Sequence, residues 1–229
     1  QASDACSRFA GFFFKSIENK PSNLLVTSRL LKIGSRPINA LVDLSNYVTF
    51  DWSQPVHLYD ATRIKDKHLV VRMARDGEKL TLLDGNNLAL TATDMVIADS
   101  RDPLCLAGVM GGAVSGIEAT TTSVFFEAAT FDAGVVRRTA QRYKTRTDSS
   151  MRFEKTLDPV QTIEVIERFL SLLEKYALRA DCAQEIISVG RDVPSSVIEV
   201  SHEFLEKRSG VSFTDSQIET LLKPLGFGV

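Results

Sequence analysis

Three segments gather the side chains that could do chemistry. In RPINALVDLSNYVTFDWSQPVHLYD (36–60), Arg36, Asn46, Gln54 and His57 fall within one stretch. Pro55 fixes the backbone just before His57, which aims the imidazole, a group that exchanges protons near neutral pH. Residue type alone leaves open a hydrogen-bonded structural histidine. In AGVMGGAVSGIEATTTSVFFEAATF (107–131), Gly108, Gly111, Gly112 and Gly116 crowd a short span. Glycine lets a ligand approach the backbone closely, but this spacing is neither a P-loop nor GxGxxG. Glu127 sits inside the apolar run, where a carboxylate is unfavourable to bury without a partner. The alternative is a side chain that points to solvent on alternating phase. In RRTAQRYKTRTDSSMRFEK (137–155), Arg138, Arg142 and Arg146 are spaced by four, so a helix puts them on one face. Arg137 and Lys144 add charge, and no acid interrupts 137–147. This is the chain's phosphate-facing candidate, against the alternative of a solvated face. Thr147-Asp148-Ser149-Ser150 follows as a group of short polar side chains.

These segments need elements to position them. Residues 6–17 alternate as a strand. Pro21-Ser22-Asn23 opens a helix that Gly34 ends, and a second helix spans roughly 38–50. Residues 68–74, 78–85, 94–100, 104–112 and 123–131 are short apolar runs divided by turns, with Asp84-Gly85-Asn86-Asn87 as a hairpin turn. Helical spacing returns at 132–143 and at 158–180, where Asp158-Pro159 opens a long helix. A strand at 184–190 precedes a linker, 191–196. Beyond it the pattern reads strand, helix 202–208, a turn at Gly210 and a helix 214–222 capped by Thr214 or Asp215. Many short strands with a few helices predict an α+β fold, in two parts: 1–195, and a partial, small helical unit over 196–229.

The composition sets bounds on these readings. The chain has 229 residues, 44% hydrophobic and 24% charged, with a net charge of −2. That is material for a real core, and it argues against a chain that grips nucleic acid over its whole surface. Cys6, Cys105 and Cys182 form neither a zinc spacing nor a disulfide framework, and read as reduced thiols of a cytoplasmic protein. No metal-binding set is evident. The start shows no signal peptide and no membrane span.

In their order and spacing, RPINALVDLSNYV…QPVHLYD, LAGVMGG…SGI, the Glu127 strand and RRTAQRYKTRTDSSMRFEK…LDP resemble the B3/B4 module of bacterial-type phenylalanyl-tRNA synthetase β subunits. The resemblance runs over about residues 5–190. The tail from about 197, with its LxxLGF ending, is similar to the first half of the neighbouring B5 domain. The resemblance implies an α+β module with a barrel-like mixed sheet. It also implies an editing site that hydrolyses tyrosine wrongly esterified to phenylalanine tRNA. The matching positions are Arg36, His57, Gly108, Glu127, Thr147 and Ser149, with Gly111 beside them on the substrate side. Glu127 would read the tyrosine hydroxyl, while His57, Arg36 and Thr147 would lie near the ester. The family often has alanine where this chain has Ser149. The implied partners are tRNA(Phe) and a synthetase α subunit. Aminoacylation, with ATP and magnesium, would belong to the whole enzyme and not to this segment.

Overall fold

The computed structural model describes residues 4–176, 178–182, 185–191 and 196–229. The chain forms two compact units, Gln1–Asp192 and Val193–Val229. Among the described residues no helix is long and apolar enough to cross a membrane.

The first unit is built on a sheet whose central strands are β1 (Cys6–Ile17) and β9 (Val124–Phe131), flanked by β2 (Val56–Asp60). On the far side of β1 pair β10 (Ala180–Cys182) and β11 (Ile187–Gly190). Alternation divides its two faces. Phe12, Phe14, Leu58, Val124, Phe126 and Ala128 point one way, against α1 (Leu24–Lys32), α2 (Ala40–Trp52) and α5 (Gln161–Lys175). Cys6, Tyr59, Ala129 and Phe131 point the other way, into a second core. That core is closed by a four-stranded sheet in the order β3 (Val70–Met73), β6 (Met95–Ala98), β7 (Pro103–Leu106), β8 (Met110–Gly111). A hairpin of β4 (Lys79–Thr81) and β5 (Asn87–Ala89) lies beside it, turning through Asp84-Gly85 as the sequence predicts. The result is three layers: helices, sheet, sheet.

The α+β class follows directly from these elements. The barrel-like mixed sheet does not. Every pairing among the described strands is antiparallel, and the sheets stay open. The physical reason is connectivity: β4–β5, β6–β7 and β7–β8 are joined by short turns, which cannot supply the crossover a parallel neighbour needs.

Several boundaries differ from expectation. The run 104–112 is two strands, because Gly108 adopts a left-handed φ of +71° and reverses the chain between β7 and β8. The long helix occupies Gln161–Lys175 rather than 158–180, ending at Tyr176 before the chain re-enters the sheet as β10. The linker's centre, 192–195, lies outside the described residues. In the second unit, 197–200 forms no strand, since no neighbour pairs with it among the described residues. Its helices stand where expected. α6 (His202–Ser209) is capped by Ser201 and ends at Gly210, and α7 (Asp215–Leu222) begins in a Thr214–Gln217 capping box.

Candidate functional site

The cleft that gathers the singled-out residues lies between the two sheets. β2 and β9 pair in a register that sets His57 directly opposite Glu127. Both side chains leave the sheet on the face turned away from the helices. The solvent-facing reading of Glu127 is therefore overturned: the residue is 5% exposed and lines an inter-sheet cleft of about 50 Å³. His57, Cys105, Gly108, Val109, Gly111, Phe131, Ser149 and Phe153 are among its walls. Val56, His57, Met110 and Ser149 are half-buried and form its opening. A larger pocket of about 250 Å³ beside the start of α1 has no buried titratable side chain in its lining.

Glu127 has a partner that the sequence reading did not assign. Tyr59, two residues beyond His57 on the same face of β2, donates its hydroxyl to Glu127 Oε2 at 2.5 Å. Burial pushes the Glu127 carboxyl up to about 7, and the Tyr59 hydrogen bond holds back part of that rise. Near neutral pH the group therefore titrates between acceptor and donor. Burial also raises the Tyr59 phenol well above its ordinary range. The clue available in the sequence was the i, i+2 spacing within VHLYD, which becomes informative once 56–60 is read as a strand.

His57 is held differently. Its ring meets Tyr59 edge-on, with centroids 4.6 Å apart. Its Nε2 is buried and has no hydrogen-bond partner. Burial lowers its pKa to about 4, so the imidazole is neutral at physiological pH. Room for the ring exists because residue 111 is glycine: a Cβ there would lie 2.5 Å from His57 Cε1 and 2.8 Å from Nε2. Gly108 is fixed by its positive φ and by crowding, since a Cβ would meet Val136 at 2.8 Å. Among the described residues no acceptor is bonded to the Gly108 N–H.

The remaining predicted residues divide. Ser149 lines the cleft from α4 (Asp148–Phe153), a helix that the sequence reading passed over. Thr147 does not line it. Its side chain caps α4, accepting from the Ser150 N–H at 3.1 Å, and donates to the Val109 carbonyl at 2.7 Å. That pair of bonds ties the β7–β8 turn to the helix carrying Ser149, so Thr147 shapes the wall. Arg36 is exposed on the connection between α1 and α2 and is not in the lining. Gln54 is fully buried and donates to the Ala129 carbonyl at 2.9 Å, anchoring the start of β2 on β9.

The arginine face needs correction. α3 (Ala133–Arg142) ends before Arg146, because Lys144 turns left-handed at φ 52°. Arg146 is therefore off the helix, beside Glu154. Arg138 is exposed. Arg142 is ion-paired with the fully buried Asp94, which also accepts from Thr139 at 3.0 Å and from the Tyr143 hydroxyl at 2.6 Å. Burial alone would raise the Asp94 carboxyl, but hydrogen bonds from Tyr143, from the Thr91 N–H and side chain and from Thr139 outweigh it and hold the group below the usual range. Arg142 thus fastens α3 to the turn before β6.

Cys105 lines the cleft as a deeply buried thiol, and burial raises its pKa well above the ordinary value, which makes it unreactive. Among the described residues no group of three His, Cys, Asp or Glu side chains is placed to hold a metal ion.

The family model of the B3/4 domain matches residues 5–178, which include every residue of the cleft. The phenylalanine–tRNA ligase β subunit of Staphylococcus haemolyticus is 39% identical over 215 residues, 93% of this chain and 27% of that protein. The β subunit of Solibacter usitatus is 36% identical over 98% of the chain and 29% of the protein. A crystal structure of an N-terminal fragment of the phenylalanyl-tRNA synthetase β subunit from Pyrococcus horikoshii covers 97% of the chain and 61% of its own, with 12% identity and a TM-score of 0.47. The chain spans under a third of the length of the curated relatives it matches. The chain belongs to the B3/4 domain family, and over nearly its whole length it is similar to a segment of phenylalanine–tRNA ligase β subunits.

Proposed function

We propose that the inter-sheet cleft is a proofreading site that hydrolyses tyrosine esterified to tRNA(Phe), as part of a phenylalanine–tRNA ligase β subunit. The observation that carries this reading is the placement of Glu127 and His57 opposite one another in one cleft, the carboxylate buried with a single partner and the half-buried imidazole with its Nε2 unpartnered. An inert scaffold has no use for two titratable groups brought together at that cost.

The need for such a site is physical. A pocket built for phenylalanine rejects an analogue that only adds a hydroxyl weakly, whereas a second site can select for that hydroxyl. Glu127 accepts a hydrogen bond from the tyrosine phenol when ionised, and the free Gly108 N–H donates to the same oxygen. Phenylalanine would leave both unsatisfied. A cleft of about 50 Å³ holds only a few waters, so the half-buried Met110 and Ser149 move aside as the ring enters. At the ester end, water attacks the carbonyl carbon and the ribose oxygen leaves. The neutral His57, with an unpartnered Nε2, orients that water or the ester. Thr147 holds the wall, and Arg36, exposed and outside the lining, is left without a role at the ester. In this reading aminoacylation, with ATP and magnesium, belongs to the α subunit of a cytoplasmic αβ enzyme, and the second unit begins a B5-type domain.

Hydrolysis of Tyr-tRNA(Phe) by the assembled synthetase tests the proposal. Glu127→Ala should slow it by about tenfold to a hundredfold, the worth of a hydrogen bond to a charged group. Unchanged deacylation would refute the assignment. A purely tRNA-holding role resting on Arg138, Arg142 and Arg146 has less support, because Arg142 is committed to Asp94 and Arg146 leaves the helix.

A further inference from the structure

Tyr59 stands apart from the residues that face the cleft. It is fully buried in the core between the sheets, and its ring cannot reach solvent. Its hydroxyl is directed at Glu127 Oε2. Among the described residues that is the only hydrogen bond to this carboxylate, and Oε1 is left without a protein partner.

We infer that Tyr59 is a specificity-determining positioning residue: its phenol occupies Glu127 Oε2 and fixes the carboxylate so that Oε1 alone is presented to a ligand hydroxyl. The inference rests on the tyrosine-selecting reading of the cleft. A buried glutamate with three rotatable bonds and no anchor would not present one oxygen at one place. An anchor from the cleft side would block the ligand. Tyr59 anchors from the core side, and its edge contact with His57 couples the orientation of both groups. The same bond favours the ionised carboxylate, against the burial that raises its pKa. The other titratable groups packed against Glu127 on this face are His57 beside Tyr59 on β2, Cys6 on β1 and Cys105 on β7. His57 is neutral near pH 7, and burial holds both thiols protonated. None supplies a cation, so Tyr59 is the group on this face that favours the ionised, accepting form of Glu127.

The test uses Tyr59→Phe, which keeps the ring and removes the hydroxyl. Two quantities are read on the protein: the Glu127 titration midpoint, by carbon NMR of labelled glutamate, and the preference for free L-tyrosine over L-phenylalanine. Tyr59→Phe should raise the midpoint by about one pH unit, a tenfold change in proton affinity, and lower the preference about tenfold. Replacing Tyr59 by 3-fluorotyrosine, a stronger donor of nearly the same shape, should move the midpoint down, which keeps the test open if the Phe variant folds poorly. In a Glu127→Gln background Tyr59→Phe should cause no further loss of preference, because it acts through Glu127. An unmoved midpoint, a retained preference, an additive loss in the double variant or no preference in the parent protein would each overturn the role of Tyr59. A protein that prefers tyrosine in this Tyr59-dependent way yet hydrolyses no ester would instead overturn the proofreading proposal alone.

Discussion

Gly111 is where the site's geometry can be perturbed with least damage elsewhere. A methyl group at this position falls 2.5 Å from His57 Cε1 and 3.1 Å from Leu83 Cδ1. Carbon atoms sit comfortably at about 3.5–4.0 Å, so the imidazole must move by roughly 1 Å. Leu83 is 54% exposed and swings away. The imidazole has less freedom, since it is already in edge contact with the fully buried Tyr59 ring. Residue 111 is not in the positive-φ region, so the substitution carries no backbone strain. Gly111→Ala should therefore lower Tyr-tRNA hydrolysis by about a hundredfold, the penalty of a 1 Å misplacement, while overpacking costs the fold about 1–3 kcal/mol. Single-turnover deacylation by the assembled synthetase and urea unfolding of the variant measure the two effects separately. Gly112→Ala is the contrast: its methyl would lie 2.3 Å from the Leu104 carbonyl oxygen, which is backbone and cannot swing aside. That variant should lose stability more than Gly111→Ala. If folded Gly111→Ala protein hydrolyses Tyr-tRNA within about twofold of the parent, the position of His57 does not matter and the reasoning fails.

Two further outcomes concern stability. Glu127, held at about 7 against an ordinary 4.5, stabilises the fold below pH 4.5 and loses that contribution as pH rises through 7, about 3 kcal/mol in all. His57, held at about 4 against 6.5, contributes above pH 6.5 and loses its share as pH falls through 4. The two oppose each other, so Glu127→Gln should leave a stability that rises from pH 4 to 6.5, and His57→Asn one that falls from pH 4.5 to 7. Denaturant midpoints across that range check this, and identical slopes in parent and variants would contradict it. Asp94→Ala should cost about 2–3 kcal/mol in urea unfolding, because it removes the acceptor of Thr139 and Tyr143, while Arg142, 37% exposed, turns to solvent. A loss below about 1 kcal/mol would show that Asp94 does not fasten α3.

Much of the fold is visible in local pattern. β1, α1, α2, β9 and α3 follow from period and punctuation, because a long alternating run or a capped apolar face carries its own signal. The elements that escape are short: β2, β8, β10 and α4, of two to six residues, whose existence depends on tertiary partners. Two of these carry the site. His57 and Tyr59 ride on β2, and Ser149 on α4, so the candidates read as separate motifs until the pairing of β2 with β9 joins them. The arginine spacing misled for a related reason. A count of four assumes an unbroken helix, and Lys144 ends it.

The position of the cleft follows from the same alternation that makes the core. On β9 the residues facing the helices, Val124, Phe126 and Ala128, are all apolar, so no charge could stand there without disrupting the first core. Glu127 falls on the opposite phase, where Cys105, Gly111 and the glycine turn at 108 stand between the larger Phe131 and Phe153 in the cleft wall. Small residues there leave a gap that a closed core would fill. The gap is what allows a buried carboxylate and an unpartnered imidazole to persist. Each lowers stability when charged, and each is held by one fully buried residue, Tyr59. A fold selected for stability alone would place an aliphatic residue at 127 and a side chain at 111. Keeping Glu127, His57 and the glycines together instead is the feature on which the proposal of a working site at the inter-sheet face of β9 rests.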